Sequence, residues 1–325
     1  MNTKCRIFLA HDPGGYDVIF PVFERFKKTD ECVELYCVGP SAKLNPTFAV
    51  LEDELNDLFN ESSVKNIKTL ITGTSWGNDV ELRIIEKARA YGITTVSLLD
   101  YWSNYALRLR NDKLTFIYPD YYIVMDHIAR REAIEEGVPE TIIHCLGHPG
   151  LDSFIRLKDN NRSLKSAERK ALFLSQPLSQ LYGDTLGYTE QGVVEDCIKL
   201  FHGINWNLDI KFHPKDDASF QKTYESYAVQ GNSIDLIPQY SLVVSMNSMA
   251  LLHAVLLEVP AISYQPNLAK PDMCITNKLG LTFLVASFSD LLELVENMQL
   301  RSDSTDCLSQ RSDEILWLDG CSTER

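Results

Sequence analysis

Two strand-like segments in the second half of the chain end in side chains that suit phosphate binding. These side chains are a lysine, a histidine, two serines and an asparagine: Lys211, His213, Ser245, Asn247 and Ser248. Ammonium, imidazole and hydroxyl groups donate hydrogen bonds to phosphate oxygens, and the N-terminus of a following helix adds unpaired N–H groups and positive dipole. Ligands of open parallel sheets bind beside the carboxyl ends of the strands, so the pattern predicts a phosphate site at this edge.

Two of these residues also have a purely structural interpretation. Ser248 suits the N-cap position of the helix predicted to follow it, and His213 precedes Pro214, a residue typical of turns. We favour phosphate binding because His213 follows a predicted strand, where ligands of this kind of sheet bind.

The first half of the chain offers carboxylates at strand ends. Asp12 follows the first predicted strand and precedes Gly14 and Gly15, which let the backbone approach a ligand closely. A carboxylate in this position suits general-base chemistry, so Asp12 is the first candidate for a catalytic base. Asp100, at the end of another predicted strand, is the second. Capping of the following helix is the structural alternative for Asp12.

Four further side chains suit contacts with a hydroxyl-rich substrate. Aromatic rings stack on such molecules, and amide or imidazole groups hydrogen-bond to them, although aromatic residues also serve as core packing. The candidates are Trp76, Asn78, Tyr101 and His148.

The elements that position these residues are alternating apolar runs and helix-period segments. Strands are predicted at 6–10, 32–38, 67–72, 94–99, 121–125 and 142–146, and then at 171–175, 208–212, 241–245, 261–264 and 281–285. Helices are predicted up to Lys28 and at 48–59, 79–91, 189–201 and 249–258. Strands without polar alternation, each followed by a helix, indicate parallel sheets covered on both faces and hence an α/β fold.

A polar stretch divides this pattern into two halves. The length of 325 residues favours two domains, and residues 155–170 are polar and charged, just after the turn Gly147–Asp152. We therefore predict an N-terminal Rossmann-like domain at 1–150 and a C-terminal one at 151–325.

The composition of the chain limits which binding partners and which cellular compartment we expect. A formal charge of −14 disfavours a nucleic-acid partner, which needs a dense positive surface. The sequence shows no secretory signal and no run of about 18 apolar residues, and its eight cysteines form no CxxC pair. We therefore expect reduced thiols and a cytoplasmic protein without a transmembrane segment. No DxD, HExxH or paired-cysteine motif indicates a metal site, so we expect no metal or other cofactor.

Three short motifs together resemble the GT-B glycosyltransferase superfamily, which includes the nucleotide-sugar 2-epimerases. They are the GHPxxD turn at Gly147–Asp152, the pair His213-Pro214, and the S-x-N-S segment at 245–248 with Pro260-Ala261-Ile262 after its helix. The motifs are most similar to those of bacterial sialyl-, Kdo- and capsule-type transferases. The resemblance implies two Rossmann-like domains that face each other across a cleft. The N-terminal domain would hold the acceptor and the base, and the C-terminal domain the nucleotide-sugar donor.

The resemblance also implies a function. We expect a metal-independent, inverting glycosyltransferase of bacterial surface-glycan synthesis with a CMP-activated, sialic-acid-like or Kdo-like donor. Its acceptor would be a glycan or a lipid-linked molecule, which is compatible with peripheral membrane contact. The loop after the first strand of the C-terminal domain would add phosphate or base contacts from Ser175, Gln176 and Ser179.

Two alternatives stay open, a UDP-sugar 2-epimerase-like enzyme and a catalytically silent GT-B scaffold or partner subunit. His253 stands where the helix of the family usually carries a carboxylate for the ribose hydroxyls. The resemblance therefore leaves ribose recognition unassigned.

Overall fold

The computed structural model shows two compact units, each built around its own sheet. It describes residues 4–29, 32–60, 62–157, 169–297 and 315–325. Unit 1 comprises the described residues of Met1–Ser153 and Ser312–Arg325, and unit 2 comprises those of Phe154–Arg311.

The C-terminal segment 315–325 belongs to unit 1, whereas the sequence analysis placed it in the second domain. Asp152 accepts hydrogen bonds from the backbone N–H groups of Ser322 and Thr323, at 3.0 and 2.7 Å. Trp317 is fully buried in the same unit. Such long-range contacts leave no local pattern in the sequence. Composition therefore could not show that the C-terminal segment packs against unit 1.

Unit 1 contains a six-stranded parallel sheet with the strand order β2-β1-β3-β4-β5-β6. The strands are β1 (Cys5–Ala10), β2 (Val33–Cys37), β3 (Ile67–Thr72), β4 (Thr94–Leu98), β5 (Tyr121–Val124) and β6 (Ile143–Cys145). The helices are α1 (Pro13–Lys28), α2 (Gly39–Leu44), α3 (Glu52–Leu58), α4 (Val80–Ala90) and α5 (His127–Glu135), and α6 (Asp152–Leu157) follows in the chain.

The helix predicted at 48–59 is shorter in the structure. Ala49 forms a parallel bridge with Cys37, and the N–H of Val50 donates to the Cys37 carbonyl at 3.0 Å. The chain is therefore tied to the end of β2 at this point, and helix α3 begins only at Glu52.

Unit 2 contains a five-stranded parallel sheet with the strand order β11-β10-β9-β7-β8. The strands are β7 (Lys170–Leu174), β8 (Asn207–Lys211), β9 (Leu242–Ser245), β10 (Ala261–Tyr264) and β11 (Leu284–Val285). The helices are α7 (Leu178–Tyr182), α8 (Glu190–Gly203), α9 (Ala218–Thr223), α10 (Ser233–Leu236), α11 (Met249–Leu256), α12 (Ile275–Lys278) and α13 (Phe288–Glu296).

The prediction of parallel sheets is confirmed, and both sheets follow the same plan. In each unit the second strand lies outside the first, and the third lies on the first strand's other side. The chain therefore changes direction between the first and third strands, β1 and β3 in unit 1 and β7 and β9 in unit 2. This switch point is where open α/β sheets bind ligands.

Each unit buries its own apolar core. In unit 1, Phe8 of β1 packs edge-on against Phe23 of α1, with ring centroids 5.6 Å apart. In unit 2, Phe173 of β7, Val244 of β9 and Phe201 of α8 belong to one fully buried cluster. Within the described ranges, no helix is both long and apolar enough to span a membrane.

The cysteines differ from the expectation of reduced thiols. Cys5 and Cys32 form a disulfide, with their Cα atoms 4.5 Å apart. Cys5 opens β1 and Cys32 directly precedes β2, the neighbouring strand, so pairing of the two strands brings the sulfurs together. Sequence spacing does not reveal such cross-strand neighbours. Cys307 lies outside the described residues.

Candidate active site

The switch point of unit 1 depends on two glycines that let helix α1 approach the end of β3. A Cβ atom added to Gly73 would lie 2.4 Å from the Cα atom of Gly15. Since real side chains do not tolerate such a distance, only glycine fits here. The close approach places the connection after β1, with His11 and Asp12, beside the connection after β3, with Thr74 and Ser75.

Asp12 occupies the N-cap position of α1, yet its side chain accepts no hydrogen bond from that helix. Its Oδ1 atom lies 2.8 Å from Nδ1 of His11, and its Oδ2 atom accepts the backbone N–H of Trp76 at 3.2 Å. Helix capping therefore does not account for this carboxylate. It is turned toward the switch point, where a general base would lie.

Glu81, which the sequence analysis missed, lies behind Asp12. The residue belongs to the first turn of α4, is only 3% exposed, and its Oε1 atom accepts the backbone N–H of His11 at 3.2 Å. Burial raises the pKa of the Glu81 carboxyl to about 7, and the charge of Asp12 adds to the rise. The sequence did contain a signal, because Glu81 shares a helix face with the apolar Ile85 and Ala88.

Asp100 is held by an arginine that the sequence analysis also missed. Nη1 of Arg108 donates to Oδ1 of Asp100 at 2.6 Å and to the carbonyl of Thr74 at 3.0 Å, and both charged side chains are largely buried. The Asp100 carboxylate is thus engaged by Arg108. A Cβ atom on Gly14 would lie 1.9 Å from Oδ2 of Asp100, so Gly14 makes room for that carboxylate.

The remaining predicted substrate contacts of unit 1 have structural partners. Asn78 lines a narrow crevice with Thr74, Ser75, Glu81 and Arg108, while its Oδ1 atom accepts the backbone N–H of Val80 at 2.8 Å.

Two of these candidates pack against Trp102. The ring of His148 stacks on Trp102 with centroids 5.9 Å apart, and the ring of Tyr101 meets Trp102 edge-on at 6.2 Å. Nε2 of His148 donates to the carbonyl of Asp100 at 3.0 Å, and burial lowers the pKa of the imidazole. The structure therefore gives the neutral His148 a role in holding the Asp100 loop.

The switch point of unit 2 joins Gln176 and Asn247, two of the predicted contacts. Nε2 of Gln176 donates to Oδ1 of Asn247 at 2.7 Å, and the Asn247 backbone N–H donates to Oε1 of Gln176 at 2.9 Å. Gln176 follows β7 and Asn247 follows β9, so this reciprocal pair ties together the two strand ends at which the chain changes direction.

His213 is oriented by its own loop. Its Nδ1 atom accepts the backbone N–H of Lys215 at 3.1 Å, so a neutral His213 carries its proton on Nε2 and presents that atom as a donor. The His213 backbone N–H donates to Oδ2 of Asp216 at 2.7 Å. Burial raises the pKa of Asp216, which the sequence analysis missed, to about 6.

Lys211 and Ser175 stand at the neighbouring ends of β8 and β7. The backbone N–H of Ser175 donates to the Lys211 carbonyl at 3.0 Å. The buried Ser175 hydroxyl faces Asp216 and lowers the pKa of that carboxyl in opposition to burial. Four of the predicted contacts, Ser175, Gln176, Asn247 and His213, are thus gathered around one sheet edge.

Three predicted hydroxyl contacts are engaged elsewhere. Ser245 is fully buried and donates to the Leu174 carbonyl at 2.6 Å, which ties β9 to β7. Ser248 caps α11 by accepting the backbone N–H of Ala250 at 3.1 Å. The hydroxyl of Ser179 donates to the carboxylate of Glu190.

Helix α11 carries no acidic residue, as the sequence indicated. His253 on this helix stacks on Phe154 with ring centroids 4.0 Å apart and an interplanar angle of 12°. The described contacts of His253 are therefore those of a packed aromatic ring.

Comparison with known proteins identifies the fold. No protein-family model matches the sequence, and no curated protein matches it. Among solved structures, UDP-GlcNAc 2-epimerase from Neisseria meningitidis bound to UDP-GlcNAc has a TM-score of 0.68 at 10% identity, over 98% of this chain and 97% of that one. The Methanocaldococcus jannaschii UDP-GlcNAc 2-epimerase in complex with UDP-GlcNAc and UDP has a TM-score of 0.64 at 14% identity, over 92% and 93%. A spinosyn rhamnosyltransferase has a TM-score of 0.55 at 10% identity, over 96% and 95%.

These likenesses and the two parallel α/β units define a GT-B fold, so the expected fold class is confirmed. The solved structures that share this fold include nucleotide-sugar epimerases and a glycosyltransferase. The particular closeness to sialyl-, Kdo- and capsule-type transferases finds no support among these structures.

Proposed function

We propose that this protein is an enzyme that acts on a UDP-activated sugar and inverts a ring carbon of that sugar by acid–base chemistry, as a 2-epimerase does. The observation that carries the proposal is the proton-holding cluster of unit 1, in which His11, Asp12 and Glu81 meet at the switch point. In this proposal unit 2 holds the nucleotide phosphates through the donors at its own switch point.

The chemistry distinguishes epimerisation from simple transfer. Inverting a C–H centre requires removal of a proton from one face of the carbon and return of a proton to the other face. More than one proton-holding group is therefore useful, and the switch point of unit 1 holds the Asp12 carboxyl beside the His11 imidazole, with the Glu81 carboxyl behind them. From the sequence, Asp12 and Asp100 were the predicted candidates for this work.

UDP is the nucleotide that the solved structures of similar fold favour. Two of the solved structures described above are UDP-GlcNAc 2-epimerases with UDP-GlcNAc bound, which supports UDP over CMP. His213 supports phosphate binding, because its Nε2–H is oriented as a donor by the bond that Nδ1 accepts. A hydrogen bond from this group to a charged phosphate is worth about 1.5–3 kcal/mol.

A second candidate is inverting glycosyl transfer with Asp12 as the only base. The observation that favours it is that the Asp12 carboxylate is not used as a helix cap, together with a rhamnosyltransferase among the structures of similar fold. The acceptor would then be a glycan or a lipid-linked molecule, as the sequence resemblance implied.

A panel of UDP-, CMP- and GDP-sugars in D2O tests both candidates. For the epimerase, NMR should show deuterium entering one sugar carbon and a second epimer appearing without any acceptor. For the transferase, nucleotide release should depend on an acceptor and no deuterium should enter. If no nucleotide or sugar nucleotide raises the melting temperature, both candidates fail and a silent scaffold becomes the better description.

Variants assign the two roles to residues. Asp12→Asn should abolish turnover and leave nucleotide binding intact, with Asp17→Asn, an exposed change on α1, as the matched control. His213→Ala should weaken UDP binding about tenfold or more, the loss expected for one charge-assisted hydrogen bond. His202→Ala, an exposed change on α8, should leave the affinity unchanged.

A further inference from the structure

A buried carboxyl oxygen behind the proposed base has no hydrogen-bond partner among the described residues. Oε1 of Glu81 accepts the His11 backbone N–H, but Oε2 accepts no hydrogen bond of ordinary geometry, although the nearby Ser75 hydroxyl partly offsets the effect of burial on the Glu81 pKa. The hydroxyl of Ser75, which lines the same crevice, is also buried without a hydrogen bond of ordinary geometry. A buried oxygen of this kind is costly as part of a charged carboxylate, so the neutral acid is the form that the site favours.

The charged groups around Glu81 come from two connections. His11 and Asp12 face it from the connection between β1 and α1, and both act on its ionisation. Arg108 lines the other side of the crevice, but its guanidinium is held by Asp100 and the Thr74 carbonyl. Burial is the largest opponent of a charge on Glu81, and among the neighbouring charged groups Asp12 is the one that adds to it.

We propose that Glu81 is a positioning residue that sets the strength of Asp12 as a base. This inference deepens the proposed function and rests on it, since Asp12 is taken as the base. Two carboxyls in contact through His11 titrate as a unit, and each negative charge disfavours the other. Asp12 therefore binds a proton more tightly when Glu81 is ionised than when Glu81 is neutral.

The proton balance of the step is simple. The substrate's C–H or O–H bond breaks, its electron pair stays with the substrate, and the proton moves to a carboxylate oxygen of Asp12. Glu81 exchanges no atom with the substrate. Its negative charge assists because proton uptake by Asp12 relieves the repulsion between the two carboxylates.

NMR titration tests the coupling without requiring turnover. In the wild-type protein, labelled at glutamate and aspartate carboxyl carbons, the Asp12 signal should show an inflection that coincides with the ionisation of the Glu81 carboxyl near pH 7. Glu81→Gln should remove this inflection. Glu86→Gln, the same change at an exposed position of α4, should retain it. A wild-type titration without the inflection overturns the inference.

The pH profile of turnover tests the consequence for catalysis. Glu81→Gln should match the wild type below about pH 6 and be about three- to tenfold slower above about pH 8, with KM unchanged, because a weaker base abstracts protons more slowly. Glu81→Asp should restore part of the alkaline rate. An equal loss at every pH would indicate a structural role and reject the inference. A wild-type protein without turnover would reject the proposed function, while the NMR titration would still decide the coupling.

Discussion

Replacement of Glu81 by glutamine should remove a pH dependence of stability that the wild-type protein carries. Burial in unit 1 raises the pKa of this carboxyl from its ordinary value of 4.5 to about 7. The folded protein thus retains a proton that the unfolded chain releases between these two values, and the associated stability is lost as the pH rises through about 7. The difference in pKa corresponds to about 3 kcal/mol of unfolding free energy. Relative to the wild type, Glu81→Gln should therefore gain about 3 kcal/mol between pH 4.5 and pH 8.

Urea unfolding at several pH values, followed by tryptophan fluorescence, measures this difference. Trp76, Trp102 and Trp317 belong to unit 1, so the fluorescence reports mainly on the unit that contains Glu81. Comparison with the wild type removes the contribution of other groups, including the Asp216 carboxyl of unit 2. Glu86→Gln, an exposed change on the same helix, should run parallel to the wild type. A difference between Glu81→Gln and the wild type that stays constant with pH would show that folding does not raise the pKa of Glu81.

Three further substitutions test other parts of the structure. Gly73→Ala places a Cβ atom 2.4 Å from the Cα atom of Gly15 and should lower the stability of unit 1 by about 1–3 kcal/mol in thermal unfolding. Gly203→Ala is the control, because its Cβ atom meets nothing within 4 Å. This variant should leave the melting temperature unchanged or raise it. Asp126→Ala removes the acceptor of two indole N–H groups, at 2.8 and 3.1 Å, and of the Ala129 backbone N–H at the start of α5. It should cost about 3 kcal/mol in urea unfolding, against about 1 kcal/mol for the single indole bond lost in Trp317→Phe. Equal costs would contradict a shared acceptor. Ser248→Ala should cost about 1 kcal/mol as a lost helix cap without changing nucleotide affinity, and a loss of affinity at equal stability would assign Ser248 to the ligand site instead.

The candidate-site residues that directly follow strands are the ones that could be predicted from the sequence. Apolar runs of the right length locate the strands, and the rule that ligands lie at strand ends then selects residues such as Asp12, Gln176 and His213. The structure places these three at or beside a switch point. Both steps use local patterns and one general property of parallel sheets, so they need no knowledge of long-range contacts.

The side chains that reach a strand end from elsewhere could not be predicted in this way. Glu81 comes from a helix, and Arg108 and Asp216 come from connections, so their neighbours depend on packing between distant segments. Ser245 was predicted to contact a ligand, but its hydroxyl donates to the Leu174 carbonyl of the neighbouring strand instead. The sequence does not reveal the register of these two strands, so this contact could not be predicted. The local sequence pattern thus predicts where along a strand or loop a residue lies. Packing between distant segments determines which groups its side chain contacts.

The return of the C-terminal segment to unit 1 has a consequence for synthesis of the chain on the ribosome. Asp126 accepts the indole N–H of Trp317, a residue 191 positions later in the chain. At about 5–20 residues per second, roughly 10–40 s pass between the synthesis of these two partners. During that interval unit 2, which is one continuous segment of the chain, can form its core. Unit 1 still lacks Trp317, which completes its buried core. We therefore expect the unit that begins the chain to be the last to finish folding.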